Sequence, residues 1–278
     1  MKPSELQQLV FIGAGNMARS LIGGLIDNGY DPSAISATDV STEALAAAQA
    51  DFGVVTQTDT AAAVRDADVV VLAIKPQQMS EVCASLCDSV QVQQPLIVSV
   101  AAGIRTIDMN RWLGGDTALV RCMPNTPALL RCGASGLYAN DSVSAAQRDI
   151  AENILTAVSR VVWVDNEDQI DAVTAVSGSG PAYFFLLIEA MQNAGEALGL
   201  DAEQARELVL QTAFGAATMA REGSTDAATL RRNVTSKGGT THAAIETFEN
   251  GELRSLVGNA MRAAADRSAE LGKQLGEQ

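Results

Sequence analysis

The sequence predicts an α/β protein in two parts: a doubly wound, mostly parallel sheet, followed by an all-helical carboxyl-terminal domain. Three observations carry that expectation. Short apolar runs alternate with helical patterns through residue 165, a glycine-rich turn stands directly after the first apolar run, and everything beyond Trp163-Val164-Asp165 reads as helix. The boundary is expected there, dividing the chain into 1–165 and 166–278.

Leu9-Val10-Phe11-Ile12 reads as a buried strand, and Gly13-Ala14-Gly15-Asn16-Met17-Ala18 opens a helix over Met17–Asn28 that stops at Gly29. Next come a second strand Ile35–Thr38, a helix Thr42–Phe52, a third strand Val54-Val55, a helix Ala61–Ala67 and a fourth strand Val69–Ile74, buried on both faces. Leu96–Val100 and Ala118–Arg121 continue the series. Ligands of such sheets gather at the carboxyl ends of the strands. Lys75-Pro76-Gln77, Ala101-Ala102-Gly103 and Met123–Pro127 are therefore expected on one rim.

The run G-x-G-x-x-A between a strand and a helix is the pattern that binds dinucleotides in Rossmann-like sheets. Gly13 permits the tight turn, Gly15 lets a pyrophosphate approach the backbone, and the small Ala18 lets the helix pack on the sheet. A purely structural glycine turn is the plainer alternative. Asp39 follows the second strand, where an acid typically holds the adenosine ribose hydroxyls, and its charge would repel a 2′-phosphate. That favours NADH over NADPH; the alternative is a helix cap by Asp39 or Ser41. Lys75 reads as a cofactor contact or as a surface lysine.

In the second half, Pro181 stands at the first position of a helix running to Leu198, apolar all round in its first turns. Further helices are expected over Ala202–Glu222, Asp226–Asn233, Thr240–Asn250 and Glu252–Gly272. Phe214, Met219, Leu230, Leu256 and Met261 all need cover in so short a domain, so a homodimer through these helices is expected. The turn Val234–Thr241 places Gly238-Gly239 and the hydroxyls of Ser236, Thr240 and Thr241 before the helix carrying Ala243, Ala244, Ile245 and Phe248. It reads equally as a small-anion site on free backbone N–H groups or as an ordinary capped helix.

Composition narrows the classes. A net charge of −14 argues against nucleic acid or an anionic membrane as partner, and 47% apolar residues suffice for a sizeable core. Four cysteines without a Cys-x-x-Cys pair, beside the single His242, argue against a zinc site and for reduced thiols in the cytoplasm. The longest apolar run, Ala182–Ile188, is too short to span a bilayer.

Five segments in order, Phe11–Ala18, Ala73-Ile74-Lys75-Pro76, Met123–Ala128, Ser177–Tyr183 and Val234–Glu249, make the chain resemble the pyrroline-5-carboxylate reductases over essentially its full length. The last two are the specific ones. The resemblance implies a Rossmann domain joined to an all-helical dimerisation domain, and reduction of the C=N bond of 1-pyrroline-5-carboxylate to L-proline by NADPH or NADH. It puts substrate on Asn233, Ser236, Gly238, Gly239, Thr240 and Thr241, with Thr241 the residue closest to the chemistry. Cofactor falls on Gly13, Ala14, Gly15, Asn16, Met17, Thr38, Asp39, Thr60, Ala73, Lys75, Pro76 and Ala101, and no metal is implied. His242 occupies a position that the family signature leaves free.

Two rivals stay in view. The chain's layout is also similar to the β-hydroxyacid dehydrogenases, but those rely on a lysine in the helical domain, and here that half holds only Lys237, inside the glycine turn, and Lys273. A dinucleotide-binding sensor without turnover would have no use for the second anion-binding turn.

Overall fold

The computed structural model describes residues 7–277. Eight strands, β1 (Leu9–Ile12), β2 (Ile35–Thr38), β3 (Val55–Gln57), β4 (Val69–Leu72), β5 (Leu96–Ser99), β6 (Leu119–Met123), β7 (Gly133–Ala139) and β8 (Ser159–Trp163), form one sheet in the order β3-β2-β1-β4-β5-β6-β7-β8. The first six are parallel, with Phe11 of β1 opposite Ala37 of β2 and Val71 of β4. β7 runs antiparallel to β6, and β8 parallel to β7. The strand order reverses between β1 and β4, and such a switch point opens a crevice at the carboxyl edge of the sheet.

Around this sheet lie α1 (Asn16–Asp27), α2 (Thr42–Phe52), α3 (Thr60–Val64), α4 (Met79–Gln93), α5 (Thr106–Trp112), α6 (Ala145–Thr156) and α7 (Gln169–Val173). Alternation along β1 sends its side chains into two cores. Leu9 and Phe11 join Leu21 and Ile22 of α1 and Ile154 of α6; Val10 and Ile12 join Leu86 of α4 and Met109 of α5. Each large apolar side chain fully buried this way contributes about 1.5–3 kcal/mol, so the two faces hold the doubly wound sheet together.

The structure moves some of the expected boundaries. The third strand is Val55–Gln57, because Val54 leaves the left-handed Gly53 as a buried residue before pairing begins. The helix expected over Ala61–Ala67 starts at Thr60 under an Asp59 cap and ends at Val64, and β4 stops at Leu72. β7 and β8 have no counterpart among the expected strands. β7 carries Gly133 and Gly136 where a Cβ would meet Ser159 Oγ at 2.4 Å and Val173 Cγ1 at 2.5 Å, so close packing removes the β-branched residues that would have marked it.

One compact unit runs to Ser179 and takes in the chain again from Ala264; the other is Gly180–Ala263. The first extends beyond residue 165 because Glu167 accepts hydrogen bonds from Thr106, and Val173 packs on Gly136. The second unit comprises α8 (Gly180–Ala197), α9 (Ala202–Glu222), α10 (Ala227–Asn233), α11 (Thr240–Asn250) and the first part of α12 (Leu253–Gly276). α8 and α9 approach closely where Gly195 meets Ala205. Phe184, Phe185, Leu186, Phe214, Met219 and Leu256 remain more than half exposed, so most of the apolar surface of this unit is uncovered in one copy.

The helical run Gln169–Ala197 is, at 29 residues, long and apolar enough to cross a membrane by length and composition. The unbroken run Ala182–Ile188 gave too short a measure, because the helix continues through polar positions on both sides. Cys83 and Cys122 are buried and free, and burial pushes the Cys83 thiol up to about 12 and the Cys122 thiol higher still. Neither forms a thiolate at neutral pH, which fits structural thiols.

Candidate active site

The turn between β1 and α1 is built for close approach. Gly13 has φ +99°, and a Cβ there would lie 2.5 Å from the Ala73 carbonyl oxygen, so both backbone and packing require glycine. Its N–H donates to the Thr38 carbonyl at 2.7 Å, while Ala73 N–H donates to Ile12. Gly15 differs: its backbone is ordinary, φ −75° and ψ −173°, and a Cβ built there meets no protein atom within 4 Å. Packing gives no reason for this glycine, whereas a ligand lying against the backbone does. Gly15 opens α1 without a side-chain cap, leaving the N–H groups of its first turn, from Asn16 and Met17 onward, to a ligand. These features fit the pyrophosphate of a dinucleotide.

Asp39 sits half-buried at the end of β2. One carboxylate oxygen accepts from Ala14 N–H at 2.7 Å and the other from Ser41 N–H at 2.8 Å. Ser41, not Asp39, caps α2, accepting from Ala44 N–H. Asp39 therefore ties the glycine turn to the second strand and retains acceptor capacity for ribose hydroxyls, since a carboxylate offers about four lone-pair sites. Thr60, first residue of α3, lies beside it through a 3.4 Å hydroxyl contact to the buried Thr38. Lys75 and Pro76 turn away from the end of β4 on the neighbouring side of the switch, with Lys75 exposed; Ala101, buried, follows β5. The expected cofactor residues of this unit therefore lie along the carboxyl ends of β1, β2, β3, β4 and β5.

Asn125 is absent from the expected contacts. It follows β6, takes a hydrogen bond from Ala134 N–H and donates one to the Ser177 carbonyl at 3.0 Å, fixing the Met123–Pro127 rim to the helical segment Thr174–Gly178. Its place within a Met-Pro-Asn-Thr-Pro rim was the available signal. A cavity of about 270 Å³ lies on the outer flank of α1, and of the expected contacts it includes only Asn16. Its Arg19 is already engaged, paired with Asp51 and stacked 5.3 Å over Phe52.

The second turn stands by itself in the helical unit. Val234–Gly239 links α10 to α11, with Gly238 at φ +73° and Gly239 at the start of α11 without a side-chain cap. Ser236 O accepts from Gly239 N–H at 3.0 Å, and Thr235 Oγ1 donates to the Arg231 carbonyl at 2.6 Å. The N–H groups of Thr240 and Thr241 thus face outward from a helix start, as an anion site requires. Asn233, Ser236, Gly238 and Thr240 are exposed, and Gly239 and Thr241 half-buried. Glu249 holds the frame: Arg254 donates to both its oxygens and Arg231 lies 3.6 Å away, linking α10, α11 and α12. Hydrogen bonding from Arg254 holds the Glu249 carboxyl below its ordinary range. His242 points to Glu246, one turn on, at 3.4 Å.

A mostly parallel sheet with a glycine turn at its switch point, followed by a helical unit, is the layout of dinucleotide-dependent oxidoreductases of the two-domain kind. Residues 167–271 match the family described as pyrroline-5-carboxylate reductase dimerisation, and residues 8–103 the family described as NADP oxidoreductase coenzyme F420-dependent. A pyrroline-5-carboxylate reductase of Pseudomonas aeruginosa is 55% identical over 270 residues, covering 97% of this chain and 98% of the relative. A solved pyrroline-5-carboxylate reductase from Coxiella burnetii superposes with a TM-score of 0.93 at 47% identity, over 96% of this chain and 99% of that one. The pyrroline carboxylate reductase of Plasmodium falciparum, solved with NADP bound, gives 0.84 at 26% identity, over 96% and 98%. The chain belongs to the pyrroline-5-carboxylate reductase family. The dimerisation match spans the exposed apolar helices, including all of the Gln169–Ala197 run, and accounts for them without a bilayer.

Proposed function

We propose that this chain reduces the ring C=N bond of 1-pyrroline-5-carboxylate to L-proline with NADH or NADPH, as a cytoplasmic homodimer, in the last step of proline biosynthesis. The observation that carries the reading is the pairing of two differently built anion-binding turns in one chain of this family. One is the Gly13–Met17 turn for a pyrophosphate, and the other the Ser236–Thr241 turn for a carboxylate. The functional division is drawn at residue 165, where the sheet has ended, with substrate binding and dimerisation assigned to the helical remainder.

The bound dinucleotide supplies the hydride. Gly13, Ala14, Gly15, Asn16 and Met17 hold its pyrophosphate; Thr38, Asp39 and Thr60 hold the adenosine end; Ala73, Lys75, Pro76 and Ala101 line the other half. Asp39 favours NADH, because a 2′-phosphate beside its carboxylate adds like-charge repulsion. The backbone N–H groups of Thr240 and Thr241, with Gly238, Gly239, Ser236 and Asn233 beside them, hold the substrate carboxylate at the positive end of α11. Thr241 serves the ring nitrogen: its hydroxyl accepts from the protonated imine and, with water, relays a proton, its own acidity being too weak to supply one at neutral pH. His242 takes no part, its ring being turned to Glu246.

Thr241→Ala is expected to lower kcat/KM for the imine on the order of 10-fold or more while the fold is retained, as read by steady-state kinetics beside circular dichroism. An unchanged kcat/KM in a folded variant would remove Thr241 from the mechanism.

A further inference from the structure

From Ala264 onward α12 belongs to the sheet-bearing unit, and its last turns lie against the loop leaving β5. Gly103 in that loop has φ +78°, and a Cβ there would meet Leu275 Cδ1 at 3.4 Å and Leu271 Cβ at 3.8 Å. From the opposite side, a Cβ on the buried Gly272 would lie 3.2 Å from the Gly103 carbonyl oxygen. Helix and loop touch backbone to backbone because both positions lack a side chain.

The helix end is fixed independently of that contact. Ser268 Oγ donates to Asp171 at 2.6 Å, Leu275 packs against the second core, and Arg111 donates to the Gly276 carbonyl at 2.6 Å. A cation on the last carbonyls of a long helix complements its dipole, and Asp108 in turn holds Arg111 at 3.1 Å. Glycine is among the poorest helix formers, so Gly272 works against the helix that contains it. The close approach to Gly103 is what its absent side chain provides.

The 101–103 loop begins at Ala101, across the switch point from Asp39. A dinucleotide with its adenosine at Asp39 therefore reaches this loop with its nicotinamide half. We propose that Gly272 of the carboxyl-terminal helix is a positioning residue for that half, setting the height of the Ala101–Gly103 loop through its contact with Gly103. The inference rests on the cofactor reading given under the proposed function.

The test uses the full chain and two probes, NADH and ADP-ribose, which lacks the nicotinamide, with melting temperature measured alongside. Gly272→Ala and Gly272→Leu are compared with Lys273→Ala, a change at the next, exposed position. Gly272→Ala is expected to keep or raise the melting temperature while weakening NADH several-fold. Gly272→Leu is expected to weaken it on the order of 10-fold or more, with ADP-ribose affinity within two-fold for the Ala variant and Lys273→Ala like wild type. Equal loss for both probes, or NADH affinity unchanged in both Gly272 variants, would overturn the proposal. Failure of the unaltered chain to bind either probe would instead remove the cofactor reading, and this inference with it.

Discussion

Gly13→Ala is expected to cut kcat/KM for the dinucleotide on the order of 10²-fold or more, and to cost stability as well. A methyl group at φ +99° is strained, and here it would also stand 2.5 Å from the Ala73 carbonyl, at a point where β1 and β4 are joined. The turn has to move, and a displacement of about 1 Å in a positioning loop is enough for losses of this size. Gly15→Ala separates binding from folding. Its Cβ meets nothing in the protein, so its stability is expected to stay within about 0.5 kcal/mol of the parent, while the methyl group stands where a pyrophosphate would approach. The two variants are read by denaturant unfolding and by fluorescence titration with NADH. Tight NADH binding by a folded Gly15→Ala variant would contradict the account of the turn.

Glu167→Ala is the second large effect, and it acts on the fold. Glu167 and Arg121 are both buried, with Arg121 Nη1 donating to Glu167 Oε1 at 3.2 Å. Glu167 also accepts from Thr106 N–H at 2.7 Å and from Thr106 Oγ1 at 2.8 Å, and lies 3.8 Å from Arg105. Truncation strands the Arg121 guanidinium without a counter-charge and leaves the first N–H of α5 without its acceptor. Breaking a buried pair from one side costs roughly 3–5 kcal/mol, a large part of the 5–15 kcal/mol typical of a folded protein. Glu167→Gln, which keeps an acceptor but not the charge, is expected to fall between. Urea unfolding at one fixed protein concentration measures both; a loss below about 1 kcal/mol for Glu167→Ala would show that the pair is not structural in this sense.

The sheet-building part of this fold was legible because its strands are short, apolar and punctuated by glycine. β1 and β2 fall where the pattern puts them, as do α2, α9 and α11. The Gly13-Ala14-Gly15 turn was legible for the same reason, since the positive φ of Gly13 and its approach to Ala73 leave few ways to write it. β7 was not: Gly133 and Gly136 serve Ser159 and Val173, neighbours that only the folded sheet supplies. The Arg121–Glu167 pair was hidden likewise, because its members come together only through the order of β6, α5 and the segment after β8. Asp39 shows a middle case. Its position was readable from the spacing, but that it accepts from Ala14 while Ser41 caps α2 depends on how β1 and β2 lie side by side in the fold. Gly272 carries no motif at all, and its meaning lies in the loop it faces.

Steady-state oxidation of NADH and NADPH, run in parallel with 1-pyrroline-5-carboxylate and the purified chain at fixed salt and pH, tests the central claim most directly. The account predicts turnover, with the higher kcat/KM for NADH because of Asp39. No turnover with either dinucleotide would contradict it and return the weight to a dinucleotide-binding sensor.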